Sequence, residues 1–181
     1  MRPALIIIDM VSAFDFPEAA ALRASVLAAA RDIRRLREHF HRRGYPVIYA
    51  NDNFANWHAD FGGLVAMARA AGGLGKAVVD LLPPSPEDYF ILKPKHSAFL
   101  ATALPVLLAK LAVKRVYLAG MTADSCVMAT AVDANAREYE VRVVSGAVAG
   151  LAAVKRRALS LVVDAKIGDV LTTATAMRQV A

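Results

Sequence analysis

Short runs of strand-forming residues alternate with stretches of helical spacing along the whole chain, and that alternation leaves very few folds open. Residues 4–8 are apolar at every position and rich in β-branched side chains. Such a run reads as a strand buried on both faces, the condition of a parallel sheet. Further strands are expected at 46–50, 88–92, 114–119, 140–144 and 169–171. Between the first two, Leu22, Val26, Ala29, Ile33, Leu36 and Phe40 recur at spacings of 4, 3, 4, 3 and 4, one apolar stripe on a helix over 17–43 that Gly44 stops. Helices are also expected at 102–111, with Thr102 as cap, at 124–137 and at 152–163. Residues 54–86, rich in glycine, carry the weakest pattern, and two short helices near 64–70 and 76–82 are expected there. No second core or internal repeat interrupts the series. The expectation is a single three-layer α/β/α domain over residues 1–181, with a mainly parallel, six-stranded, Rossmann-like sheet.

Composition narrows the class further. Of the 181 residues, 57% are apolar, which suits a chain with a proper core and excludes a disordered one. The single cysteine rules out an intramolecular disulfide and a CxxC metal site, and a free thiol suits a reducing, cytoplasmic setting. The opening apolar run is too short for a signal sequence or membrane span, and no membrane partner is expected. Lys and Arg outnumber Asp and Glu by 22 to 16, but much of the excess lies between Arg31 and Arg43 and reads as the solvated face of a helix. No zinc finger or base-stacking cluster accompanies it, so nucleic acid is not an expected partner. The first strand-to-helix turn, DMVSAFDF, lacks GxGxxG, which argues against a dinucleotide-binding oxidoreductase.

Ligands of parallel α/β sheets bind beyond the carboxyl ends of the strands. Three chemically capable residues fall there: Asp9 after the first strand, Lys93 after the third and Cys126 after the fourth. The thiol sits where a helix begins, and helix N-termini lower a cysteine pKa. On position alone, a small apolar filler is an equally good account of Cys126.

Three motifs now carry a resemblance. The stretches LIIIDMVSAF, LKPKHSAF and AGMTADSCVMATAVDA, in that order, resemble the isochorismatase-like cysteine hydrolases, a family that includes nicotinamidases, N-carbamoylsarcosine amidohydrolase and ureidoacrylate amidohydrolases. The likeness covers nearly the whole chain. It implies a catalytic triad of Asp9, Lys93 and Cys126, the lysine preceding Ser-Ala-Phe by four positions, which selects Lys93 over Lys95. It also implies a non-proline cis peptide between Met121 and Thr122, and an oxyanion hole from the N–H groups of Thr122 and Cys126. In the implied reaction Cys126 attacks an amide or ureido carbonyl, Asp9 takes its proton and later activates water, and a thioester is hydrolysed. A vinyl-ether hydrolase of the isochorismatase type, or a non-catalytic binding module on the same fold, are the alternatives.

One segment departs from the family pattern. Nicotinamidases carry an Asp-x-His pair and further histidines after the second strand, which bind a metal. Here the segment is NDNFANWHADF, with Asp52 present, Phe54 at the histidine position and His58 the only imidazole nearby. Catalytic zinc takes three protein ligands, so no metal and no other cofactor are expected. Phe54 and Trp57 suit either a substrate pocket or the core. Phe14 and Phe16 are expected in the pocket wall, Met121 beside the pocket through the turn, and His96 as a solvated or hydrogen-bonded loop residue. A small-molecule substrate and a homo-oligomer, dimer or tetramer, complete the expectation.

Overall fold

The structure is a computed structural model that describes residues 1–180. Its elements run β1 (Arg2–Ile8), α1 (Ala19–Arg42), β2 (Val47–Asp52), α2 (Phe61–Ala70), α3 (Gly73–Leu81), β3 (Tyr89–Lys93), α4 (Leu104–Lys110), β4 (Val113–Gly120), α5 (Cys126–Ala136), β5 (Glu140–Val148), α6 (Ala152–Asp164), β6 (Asp169–Leu171) and α7 (Thr173–Gln179). All six strands pair in parallel in the order β3-β2-β1-β4-β5-β6. The chain builds outward from β1 through β2 to β3, then returns to lay β4 on the other side of β1. The junction of β1 and β4 is therefore the point where strand order reverses, and a crevice opens above it.

Alternation along the central strands sorts side chains into two cores. Leu5 and Ile7 of β1 join the core under α1, α2, α3 and α7, whereas Ala4, Ile6 and Ile8 join the core under α4, α5 and α6. The apolar stripe of α1, from Leu22 to Phe40, lies wholly in the first core. Gly44, at φ +66°, ends that helix in the left-handed region, with its N–H donated to His41 O at 2.9 Å.

Several boundaries differ from expectation. The fifth strand continues to Val148, and its extension packs behind the turn after β4: Ala149 N–H donates to Gly120 O at 2.8 Å and Ala123 N–H to Ala149 O at 3.0 Å. The C-terminal helix α7 was not expected from its short, polar sequence. It is held by tertiary bonds, Thr173 Oγ1 to Asp32 Oδ2 at 2.6 Å and His39 Nε2–H to Val180 O at 3.2 Å. Asp60 caps α2 by accepting Gly63 N–H at 2.6 Å, so that helix starts three residues earlier than its apolar spacing indicated.

Gly120 makes the β1–β4 junction possible. Its φ is +115°, and a Cβ there would stand 2.0 Å from Ile8 O. Gly120→Ala is expected to destabilise the fold by about 3 kcal/mol or more, because the clash is with backbone and the conformation disfavours any L side chain. Urea unfolding measures this, and a change below about 1 kcal/mol would show that β1 and β4 can part at low cost.

Candidate active site

Asp9 follows β1 with φ +54°, and its carboxylate turns back over the sheet edge. Oδ1 accepts the backbone N–H of Asp52 at 2.7 Å, and Oδ2 lies 2.8 Å from Lys93 Nζ. Lys93 ends β3, an edge strand two places from β1, in register with Asp52 on β2. Its side chain therefore crosses the end of β2 to reach Asp9, a span of two strand spacings of about 4.8 Å each. It is 0% exposed. A buried ammonium must place its three protons. One goes to Asp9, one to Lys95 O at 3.0 Å, and the third faces Asp52 Oδ2 at 3.5 Å and Cys126 Sγ at 3.6 Å.

Cys126 opens α5 beside this pair. The loop that follows Lys93 is pinned to the same helix, which explains the Ser-Ala-Phe string. Ser97 Oγ donates to Asp133, Ala98 N–H to Thr130 Oγ1 at 3.1 Å, and Thr130 Oγ1 to Cys126 O at 2.7 Å. Thus two motifs distant in sequence are fastened as one body around the thiol. The Met121–Thr122 peptide is cis. Among the described residues neither Thr122 N–H nor Cys126 N–H has an acceptor within the protein, so both donors are free.

The charges inside this site set its chemistry. Burial raises the Asp9 carboxyl above its ordinary range, and the Lys93 ammonium and hydrogen bonds from Cys126, Lys93 and Asp52 only partly oppose it. For Lys93 burial acts downward, but Asp9, Cys126 and Asp52 outweigh it and the amine is raised, so it stays charged. The Cys126 thiol is pushed up to about 12, first by burial and then by the Asp9 carboxylate, against the pull of Lys93 and Ser125. The expectation that a helix N-terminus would hold a thiolate is thus reversed at rest: desolvation and a neighbouring carboxylate exceed the dipole. Iodoacetamide labelling of the free protein should accordingly be slow at pH 8 and rise about tenfold per pH unit toward pH 12, since only the thiolate is alkylated. A rate already at plateau by pH 7 would contradict this.

A cleft of about 400 Å³ opens over these groups, lined by Asp9, Phe16, Phe54, His96, Met121 and Cys126 among others. Thr122 and Phe16 are shared with an adjoining cavity of about 310 Å³ that continues toward Leu22, Leu151 and Val154. The aromatic residues fall differently from expectation. Of the two phenylalanines expected in the pocket wall, Phe14 is only 7% exposed, buried in the core on the α1 side with its ring 6.0 Å from that of Phe16, while Phe16 faces the cleft. Phe54 sits at the rim, half exposed, between the cleft and a third cavity. Trp57 is 77% exposed and lies outside the cleft.

Two residues, Asn51 and Ser125, were not singled out by sequence reasoning. Asn51, fully buried, accepts Val11 N–H at 3.0 Å and donates to Val11 O at 2.9 Å, which holds the loop after Asp9 against β2. Ser125 and His96 meet beside the sulfur, with His96 Nδ1 at 3.1 Å from Ser125 Oγ and 3.7 Å from Cys126 Sγ. The side chains do not fit a metal site of the kind nicotinamidases carry. Asp52 is engaged by Phe54 N–H at 2.7 Å and by Lys93, and His58 lines the third cavity. Among the described residues no three His, Cys, Asp or Glu side chains stand close enough to share an ion.

The chain is similar to known proteins over most of its length. The isochorismatase domain family matches residues 3–175. The uncharacterised isochorismatase family protein YaaI of Bacillus subtilis is 35% identical over 140 residues, covering 77% of this chain and 76% of its own. Maleamate amidohydrolase of Pseudomonas putida is 29% identical over 184 residues, covering 98% of this chain and 86% of its own. The crystal structure of N-carbamoylsarcosine amidase from Thermoplasma acidophilum superposes with a TM-score of 0.74 at 30% identity, over 96% of this chain and 97% of that one. The chain belongs to the isochorismatase family. Among the described residues no helix is long and apolar enough to cross a membrane.

Proposed function

We propose that residues 1–181 form one cysteine-dependent amidohydrolase unit that cleaves the C–N bond of a small amide or ureido compound through a thioester on Cys126. The observation that carries this reading is the single ammonium of Lys93 standing between the Asp9 carboxylate at 2.8 Å and the Cys126 sulfur at 3.6 Å. A thiol pushed up to about 12 is a poor nucleophile until its proton is removed, and the one carboxylate it faces has a raised affinity for that proton. The proton passes from Sγ to Asp9 as sulfur attacks the carbonyl carbon. Lys93 stays charged throughout and stabilises whichever partner is anionic. Negative charge moves to the carbonyl oxygen, where the unengaged N–H groups of Thr122 and Cys126 serve as donors, each worth about 3 kcal/mol.

The relatives named maleamate amidohydrolase and N-carbamoylsarcosine amidase act on compounds of this class, and their likeness supports the reading. Phe16, Phe54 and Met121 would hold the substrate's apolar part, and the adjoining cavity gives room for a longer one. The lone reduced thiol fits a cytoplasmic enzyme. Association between copies as a dimer or tetramer belongs to the same reading, and light scattering at micromolar concentration tests it. Ammonia release from a panel of primary amides and ureides, with a chelator present, tests the activity. Turnover of at least one member is expected. Cleavage of isochorismate with no release of ammonia from any amide would instead favour the vinyl-ether reaction.

A further inference from the structure

The catalytic groups fix the carbonyl of a substrate and leave its tail free. With the carbonyl carbon at Cys126 Sγ and its oxygen at the Thr122 and Cys126 N–H groups, the rest of the acyl group must follow a wall of the cleft. Thr122 and Phe16 are the residues that the cleft shares with the adjoining cavity of about 310 Å³. A chain leaving the carbonyl past them enters that cavity, whose size alone falls within the range of small-molecule sites, about 300–1,000 Å³. Its apolar wall is Phe16, Leu22, Leu151 and Val154. Leu151 and Val154 are 41% and 38% exposed, apolar surface that a bound tail would cover.

Charge in this cavity has one sign. Glu18 and Asp124 line it, and no Lys, Arg or His does. Glu18 stands at the N-cap of α1 without capping it, and among the described residues neither carboxylate takes part in an ion pair. The nearby cations are engaged elsewhere. Lys93 directs its protons to Asp9, Lys95 O, Asp52 and Cys126. His96 lines the cleft but not this cavity. Lys155, one residue beyond Val154, does not line it either and has Asp32 as its acidic neighbour. An anionic tail would meet two carboxylates and no counter-charge, whereas a cationic tail would meet two unpaired acceptors. Resting on the amidohydrolase reading, we infer that this cavity holds the substrate's tail, and that Glu18 and Asp124 select amides and ureides whose apolar chain ends in an ammonium. Both carboxylates are exposed, so each supplies a preference of only a few-fold, as exposed ion pairs do. Two acting on one ammonium give about tenfold over a neutral tail, and their repulsion gives about the same against an anion.

The test is ammonia release from acetamide, heptanamide, 6-aminohexanamide and the monoamide of adipic acid. The last three have tails of similar length and differ in charge. For the wild type, kcat/KM is expected to rise about tenfold or more from acetamide to heptanamide as the chain is buried. It should rise about tenfold again for 6-aminohexanamide and fall about tenfold from heptanamide to the adipic monoamide. In about 0.5 M NaCl the charge preference should shrink and the chain-length preference should persist, because salt screens exposed charges and not apolar burial. Glu18→Gln/Asp124→Asn should bring the ratio of 6-aminohexanamide to heptanamide below about twofold, and Glu18→Lys should invert the order of the two charged amides. A wild-type ratio already below about twofold, or one that survives in the double variant, would overturn the inference, as would acetamide being cleaved as well as heptanamide. Those outcomes leave the amidohydrolase reading standing, since acetamide reports on it separately. Ammonia from none of the four, nor from the wider panel, would fail that reading and take the inference with it.

Discussion

Replacing Cys126 by alanine is expected to lower kcat for amide hydrolysis by about 10⁴-fold or more while the melting temperature stays within a few degrees. The side chain is only half buried and its sulfur faces the cleft, so its loss leaves little cavity in the core. The backbone N–H of residue 126 and that of Thr122 remain, so a substrate still binds and its oxygen still finds its donors. What disappears is the atom that forms the bond. Residual turnover would be of the size that oriented binding alone supplies. Cys126→Ser should be nearly as inactive, because a hydroxyl is harder to deprotonate than a thiol and the site already raises the pKa of whatever stands there. A Cys126→Ala protein retaining more than about a tenth of wild-type activity would remove covalent catalysis from the account.

The second large effect concerns Lys93. Lys93→Met preserves most of the side chain's volume and deletes its charge. Asp9 is then left buried with no cation beside it, only the Asp52 backbone N–H and the Cys126 thiol as donors. Removing one member of a buried ion pair costs about 3–5 kcal/mol. The carboxyl can escape that cost by keeping its proton, but a protonated Asp9 no longer accepts one from Cys126. Stability and activity should therefore fall together, with kcat reduced by about 10³-fold or more. The double variant Asp9→Asn/Lys93→Met separates the two effects: it should recover most of the stability and none of the activity. A Lys93→Met protein as stable as wild type would mean that Asp9 is better solvated than its contacts indicate.

The titration of the thiol adds a sign to the stability curve. A cysteine ionises near 9.0 when unperturbed, whereas folded Cys126 holds its proton to about 12. Between those values the unfolded chain binds fewer protons than the folded one, so stability contributed by this group is complete below pH 9 and declines as pH rises toward 12. Denaturant unfolding across that window should show wild type losing stability relative to Cys126→Ala as pH rises. A gain relative to that variant would contradict the direction of the shift.

The parts of this site that sequence reasoning reached are those governed by strand geometry. The fully apolar run 4–8 reads as an interior parallel strand, and Asp9, Lys93 and Cys126 each fall at or beyond the carboxyl end of a strand, interior or edge. Strand order was not legible, and it is strand order that sends the Lys93 side chain across β2 and places Cys126 opposite Asp9. Phe14 was misjudged for a local reason. Phe14 and Phe16 are equivalent in pattern, but Phe14 takes φ +55° and turns into the core, which leaves Phe16 to face the cleft. His96, read as a solvated or hydrogen-bonded loop residue, is exposed with Nδ1 3.1 Å from Ser125 Oγ, a partner that comes from a distant turn and so was not legible. Helix α7 has no apolar periodicity of its own and exists through Asp32 and His39, contacts that span most of the chain. The thiol's raised pKa was likewise out of reach, because burial and the approach of Asp9 are tertiary facts.

Trapping the covalent intermediate tests the central claim most directly. The protein is mixed with an amide that it turns over, quenched in acid within milliseconds, and examined by intact mass and peptide mapping. An adduct with the mass of the substrate's acyl group, located on Cys126 and lost on treatment with hydroxylamine, is the result predicted here. Continued turnover with the sulfur unmodified at every quench time, together with an unaffected Cys126→Ala protein, would contradict it.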